Sequence, residues 1–426
     1  VGRGAGLLSR GGAFHTAART QWPEAFRGGS GGIVIRTMRT TYVPPLTAET
    51  ARELPRKPAP PPAPEPAAPK PVRTDVLLVG LDLGTSVSCL KAAHPGAAEL
   101  VTDAIIPTAV GYAREGIVEH LLPGNARVLY GQLALQYRNY LRLLTPLRNG
   151  VIEDLAAAQD FVRHLRQVLN PPANVEVRAV VGVPASADRT ARENLCAALT
   201  GVFQKVLLIP EPFLAALGFR DESRLGDPAY LDPVRNSLFV DCGAGTTDVC
   251  LVQGYYPGPE QQVSSAFAGD EVDQLLLEAT RLLEPDANLS VARVRAIKEQ
   301  HSYVGQPEAP VVVPIVVGGK ARKLDLTAPL GQACGRLLQE IFELVKIAIA
   351  RASSDTVEEL LQNIVLTGGG SRIRRLDTEL QRLLTEEGYE KPRVQTVGEG
   401  YKQLVARGAL AAARQAKESQ WLALGR

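Results

Sequence analysis

Three glycine turns and three acids in this chain have the types and spacing that handle a phosphate chain. The first turn is Asp82-Leu83-Gly84-Thr85-Ser86, and the second runs Asp241-Cys242-Gly243-Ala244-Gly245-Thr246-Thr247-Asp248. A glycine turn lets backbone N–H groups approach phosphate oxygens closely, and Thr and Ser hydroxyls add donors. The aspartate at the strand end before each turn points at the same phosphates. Two such carboxylates would hold Mg²⁺ mainly through water, because Mg²⁺ keeps most of its hydration shell. One Asp-x-Gly-Thr turn is a common loop, whereas two of them 159 residues apart in equivalent settings form a paired device. A third glycine element, Thr367-Gly368-Gly369-Gly370-Ser371, lies between a strand and a helix, where backbone can approach a nucleotide and a helix N-terminus favours an anion.

The elements that must position these turns alternate between strands and helices. Val76 to Leu81 is a short apolar run of strand length, and Val87 to Ala92 follows too soon for a helix, so the first turn closes a hairpin. Ser237 to Val240 and Asp248 to Val252 repeat the hairpin around the second turn. A repeat of that period is domain-sized, which implies two similar halves and not a solenoid. Between the hairpins the pattern predicts a helix over Leu155–Leu169, a buried strand Arg178 to Pro184, a helix over Ala187–Phe203, and a strand Val206 to Ile209. Pro210-Glu211-Pro212 opens another helix through Leu217, since proline suits a helix's first turn. After the second hairpin come a core helix over Leu337–Ala350, a strand Ile364 to Leu366, a helix from about Ile373 and a last helix over Gln403–Lys417 that should pack back on the first half.

Composition narrows the field. The chain has 426 residues, 45% of them hydrophobic and 22% charged, as in an ordinary protein with sizeable cores. Aromatics at 5% disfavour a base-stacking nucleic-acid binder. The net charge of +2 conceals an asymmetry: residues 1–74 hold 11 Lys/Arg against 4 Asp/Glu, leaving 36 against 41 in the remainder. Residues 1–37 are Gly- and Arg-rich with one acid, Glu24, and their only neighbouring methionine is Met38. That resembles a transit peptide in composition, although an upstream-extended reading frame or an alternative start codon is the preferred account. Nine prolines within residues 55–71 read as an extended linker, and ordered structure is expected from near Asp75. The basic tail reads as a solubilising linker ahead of a lipid or nucleic-acid contact. No run of about 18 apolar residues offers a membrane span. The five cysteines have no metal-type spacing and read as reduced and structural, which points to the cytosol.

The three glycine elements in this order resemble the actin, heat-shock-chaperone and sugar-kinase ATPase superfamily over residues 75–417, with Val183-Pro184 and Glu211-Pro212-Phe213-Leu214-Ala215-Ala216 matching its connecting motifs. Within it, Leu147-Arg148-Asn149-Gly150-Val151-Ile152 resembles the "PLRDGVI" segment of the bacterial actin-like ATPases, MreB/MamK branch. Lys298-Glu299-Gln300 with Tyr303-Val304-Gly305, and Leu361 to Val365 running into Gly368 to Arg374, are similar to the magnetosome-organising members of that branch. The resemblance implies an α/β actin-like fold of two similar halves with ribonuclease H-like cores around a nucleotide cleft. Its domains would be 75–235, 236–400 and a C-terminal segment 401–426 returning to the first, behind a tail 1–74.

The resemblance also assigns roles. Asp82 and Asp241 would hold Mg²⁺ through water, and Gly84, Thr85, Ser86, Gly243, Ala244, Gly245, Thr246 and Thr247 would cradle the phosphates of ATP. Lys298 and Gly368, Gly369, Gly370 and Ser371 would contact ribose and adenine, while Glu211 would orient water for attack on the γ-phosphate. Ala244 stands where the branch more often has glycine, which narrows the loop slightly. The implied partner is the chain itself, in a cytoplasmic filament, with magnetosome-associated proteins beyond it. A cell-shape filament, a chaperone-type ATPase and a small-molecule kinase are the competing functions on this fold. Neither the substrate domain of a chaperone nor the large insertions of a kinase are found.

Overall fold

Val76–Leu83 is buried along almost all of its length, as befits a strand covered on both faces. In the computed structural model, which describes residues 72–425, it stands inside a six-stranded sheet. On one side Val87–Ala93 pairs antiparallel with it, and Thr102–Pro107 antiparallel with that strand. On the other side Glu176–Val183 runs parallel to it, and Lys205–Pro210 parallel to Glu176–Val183. The second sheet repeats this order. Ser237–Cys242 is central, Thr247–Val252 and Gln262–Ser265 follow antiparallel on one side, and Ile364–Thr367 and Val394–Thr396 run parallel on the other. Two sheets with the same order and direction are the ribonuclease H-like cores of an actin-like fold.

Each core carries its own helices and its own insertion. Leu155–Leu169, capped by Asp154 accepting from the Ala157 N–H, covers the first sheet through Phe161, Val162 and Leu165. The insertion in that half is a three-stranded sheet of Val110–Ala113, Val128–Tyr130 and Leu141–Leu144. In the second half, helices Gly269–Leu283 and Val291–His301 lead to a hairpin, Val312–Val317 with Lys320–Asp325, before the long helix Thr327–Arg351.

The helix Glu211–Phe219 and the returning helix Tyr401–Gln415 cross with their backbones almost touching. A Cβ on Gly408 would lie 1.8 Å from the Leu214 carbonyl oxygen, and one on Gly218 would lie 2.1 Å from that of Leu404. The returning helix also lies against the first hairpin, where a Cβ on Gly80 would stand 2.1 Å from the Ala406 carbonyl oxygen.

Several boundaries differ from the sequence reading. The long helix begins ten residues before Leu337, because Pro329 falls in its first turn, where a missing N–H loses no intrahelical bond. The expected helix over Ala187–Phe203 spans Arg189–Leu199, started by Asp188 accepting from the Ala191 N–H at 2.7 Å. The glycine element forms a tight turn over Gly369–Arg372, and Arg375 at φ 66° breaks the chain before helix Leu376–Glu386 begins. Beyond the returning helix, Leu422–Ala423 adds a sixth strand to the first sheet against Lys205 and Val206. The expectations for the basic and Pro-rich stretches up to residue 71 lie outside the described residues.

Candidate functional site

The two hairpin turns and the glycine turn open onto one cavity of about 400 Å³ between the two sheets. Its lining includes Asp82, Gly84, Thr85 and Ser86 from the first hairpin, Asp241, Gly243, Ala244, Gly245 and Thr246 from the second, and Gly368, Gly369 and Gly370 from the third element. Glu211 reaches it from the first turn of its helix, and Lys298 from the helix Val291–His301. Two residues of the sequence reading do not line it. Thr247 opens the strand Thr247–Val252 with its side chain directed into the core, away from the cavity. It is fully buried and donates to the Phe267 carbonyl at 2.9 Å. The Ser371 hydroxyl turns back to the Gly368 carbonyl at 2.7 Å and braces the glycine turn instead of facing the cavity.

Local packing explains the glycines. A Cβ on Gly368 would lie 2.4 Å from the Cys242 carbonyl oxygen and 2.5 Å from Asp241 Oδ1, and one on Gly370 would lie 2.2 Å from Cys242 Sγ. The glycine turn therefore rests directly on the second hairpin. Across the cavity floor, the Gly150 N–H donates to Thr85 Oγ1 at 3.1 Å, and a Cβ on Gly245 would meet the Asn149 backbone at 2.7 Å. The Thr85 oxygen accepts from Gly150, so its own proton is free for an acceptor in the cavity.

Asp82, Asp241 and Glu211 make the floor acidic, and Asp248 is buried outside the lining. Enclosure, and then the neighbouring Asp241 charge, push the Asp82 carboxyl up to about 8. Enclosure and Asp248 push Asp241 up to about 7, and burial pushes Asp248 up to about 6. Glu211 is raised well above its ordinary value by enclosure and by the charges of Asp82, Asp241 and Asp248. Asp248 Oδ2 accepts from Thr246 Oγ1 at 3.0 Å, and its buried Oδ1 has no partner. No lysine or arginine among the described residues forms an ion pair with any of these four. Such a cluster fits a cation. Among the described residues no three His, Cys, Asp or Glu side chains are arranged to grip one ion directly.

A pH prediction follows. Acids whose folded values lie above their unfolded ones hold extra protons in the folded state, so folded stability falls as pH rises through those values. Without metal or nucleotide, the melting temperature should fall progressively from about pH 4, the unfolded value, to about pH 8, the highest of these folded values, and Mg²⁺ with nucleotide should reduce the fall. Calorimetric scans in chelator and in Mg-ATP check this; a flat profile in chelator would contradict it.

The opposite wall is a charge network that the sequence reading found only in part. Arg295 donates through Nε to Asp273 Oδ2 and through Nη2 to Asp270 Oδ1, both at 2.7 Å. The Lys298 ammonium donates to the Gly269 carbonyl at 2.6 Å and faces Asp273 Oδ1 at 2.8 Å as a charge contact. Lys298 therefore helps anchor the start of helix Gly269–Leu283 as well as lining the cavity. Asp270 and Asp273, like Arg295 and Lys298, are three residues apart, a spacing that puts each pair on one helix face. That spacing was a usable sign of facing helices. Tyr401 and Lys402, at the start of the returning helix, also line the cavity and carried no local signal.

Two ribonuclease H-like cores around a cleft with paired phosphate-type hairpins define an actin-like protein of the nucleotide-binding kind. The family model described as MreB/Mbl protein matches residues 79–418, and the chain belongs to that family. The actin-like protein MamK of Paramagnetospirillum magneticum (strain AMB-1) is 32% identical over 361 residues, covering 82% of this chain and 95% of the relative. A solved MamK double helical filament aligns at TM-score 0.72 and 32% identity, covering 80% of this chain and 99% of that one. A non-polymerising MamK mutant bound to AMPPNP aligns at TM-score 0.58 and 31% identity over the same shares. Among the described residues no helix is long and apolar enough to cross a membrane.

Proposed function

We propose that this chain is an actin-like cytoskeletal ATPase that assembles with copies of itself into cytoplasmic filaments in the ATP state and disassembles on hydrolysis. The observation that carries the reading is the convergence of three glycine turns and the carboxylates Asp82, Asp241 and Glu211 on one cavity. The MamK relatives, one solved as a filament and one with AMPPNP, support self-assembly and adenine-nucleotide binding. Magnetosome positioning as the task, with magnetosome-associated proteins as partners, is the reading that the sequence resemblance of Lys298–Gly305 and Leu361–Arg374 suggests. We take 75–235 and 236–400 as the two domains, with 401–426 returning to the first and 1–74 outside both.

Backbone N–H groups of the two hairpin turns, Thr246 among them, would hold the phosphates with the hydroxyls of Thr85 and Ser86, while the Thr246 hydroxyl is already given to Asp248. The Lys298 wall and Gly368–Gly370 would hold the nucleoside. Mg²⁺, when bound, would neutralise charge on the phosphates, with Asp82 and Asp241 holding its water shell. Glu211 would orient a water for in-line attack, so that catalysis comes mainly from positioning and electrostatics. Sedimentation tests the whole reading: the protein should pellet with Mg-ATP and remain in the supernatant without nucleotide. Equal pelleting in both conditions would end the assembly claim, and calorimetry without adenine-nucleotide binding would end the ATP claim.

A further inference from the structure

The nucleoside side of the cavity is built from stretches far apart in sequence. Lys298, Glu299 and Ser302 reach it from the end of the helix Val291–His301, and Arg372 and Ile373 from the glycine turn. Residues 302–305 stitch these together. The Arg374 N–H donates to the Ser302 carbonyl at 3.3 Å, and the Val304 N–H donates to the Arg374 carbonyl at 3.1 Å. The Arg374 guanidinium donates to the His301 carbonyl at 2.7 Å. Gly305, at φ 73°, passes so close to Glu379 that a Cβ there would stand 2.7 Å from Oε1.

Tyr303 adds a third piece. Its side chain is buried, and its hydroxyl donates to the Thr327 carbonyl at 2.7 Å, in the first turn of the long helix. Gly331 follows one turn later, where a Cβ would lie 2.7 Å from that same hydroxyl. The long helix in turn brings Leu337 to the cavity. The hydroxyl of Tyr303 thus ties the stitched segment to a third wall, although Tyr303 does not itself line the cavity.

We infer that Tyr303 is a positioning residue for nucleoside recognition, holding the base-side wall in its binding shape before a nucleotide arrives. The inference rests on the ATP reading above and deepens it. The physical ground is preorganisation: a wall already fixed loses little freedom when a purine settles on it. The phosphate side is different in kind. Its two hairpins belong to different sheets and approach each other through the Asn149–Gly150 segment.

Tyr303→Phe keeps the ring and removes one hydroxyl, and with it the bond that ties the stitched segment to the Thr327 carbonyl. Displacement of a fluorescent ATP analogue by ATP and by CTP, on wild type and variant, tests the inference. ATP affinity should fall about three- to tenfold while CTP affinity falls less, so the preference for ATP shrinks. Arg374→Ala, which removes an exposed side chain and one stitch, should move the ratio the same way and decides the matter alone if Tyr303→Phe does not fold. An unchanged ATP-to-CTP ratio, whether both affinities hold or both fall together, overturns the inference, as does a wild type that binds both equally. A wild type that binds neither nucleotide counts instead against the ATP reading itself.

Discussion

Replacing Glu211 by alanine is expected to leave Mg-ATP bound and filaments formed while slowing phosphate release by about 10²–10⁴-fold, the range for loss of a positioned general base. The carboxylate sits at the N-terminal end of the linking helix, beside Gly182, where an added Cβ would lie 2.9 Å from the Glu211 Cγ. Among the described residues it has no basic partner, and the charges of Asp82 and Asp241 beside it in the cavity, with that of buried Asp248, disfavour its ionised form. Removing its carboxylate relieves repulsion towards incoming phosphates, so affinity should hold or rise. Asp241→Ala should do the opposite: a carboxylate that would hold the cation's water shell is gone, and Mg-ATP binding itself weakens. Filaments of the Glu211 variant should outlast those of wild type, read by electron microscopy alongside phosphate release. Phosphate release at the wild-type rate would sink the catalytic role of Glu211. Slow release with ordinary filament lifetimes would instead break the link between hydrolysis and disassembly.

Gly408→Ala should destabilise the protein by at least about 3 kcal/mol, the upper end of ordinary overpacking. Helix propensity alone argues the other way, since alanine is favoured over glycine in a helix interior by about 1 kcal/mol. Packing wins here because the new methyl would lie 1.8 Å from the Leu214 carbonyl oxygen and 2.8 Å from the Gly218 nitrogen, and both are backbone atoms. Backbone cannot rotate away as a flexible side chain can, so the helices Glu211–Phe219 and Tyr401–Gln415 would have to separate. That movement would carry Glu211 with it, and Tyr401 and Lys402 at the other helix's start. Urea unfolding with nucleotide titration measures both effects. A midpoint equal to or above that of wild type would show that the crossing is looser than described.

Much of this was legible because the informative signals are local. Each turn that runs from Asp through Gly to Thr announces its own hairpin, and Pro210-Glu211-Pro212 marks a helix start without reference to anything distant. What was missed depends on distance or direction. Thr247 looked like a phosphate donor by type, but in the fold its side chain is directed into the core. Ser371 shares its loop with three cavity glycines but satisfies the carbonyl of Gly368. Tyr401 and Lys402 join the cavity because a helix from the end of the chain returns to the first hairpin. Leu422–Ala423 is too short to show any alternation at all.

That two-residue strand has a bearing on what kind of polymer is open to the protein. An unpaired sheet edge offers a row of N–H and C=O groups to any passing strand, and chains that join this way stack into assemblies that rarely come apart. Here Leu422 and Ala423 occupy the edge of the first sheet at Val206 and Lys205. They are held there by Glu418, which pairs with Arg178 at 2.7 Å and with Lys205, and by the Trp421 ring beneath the Arg178 guanidinium. A two-residue edge strand is too short to template a ladder, which blunts this edge and favours side-chain contacts for any neighbour meeting it. Contacts of that sort can be undone by a small change in shape, which is what a filament dismantled and rebuilt on demand requires.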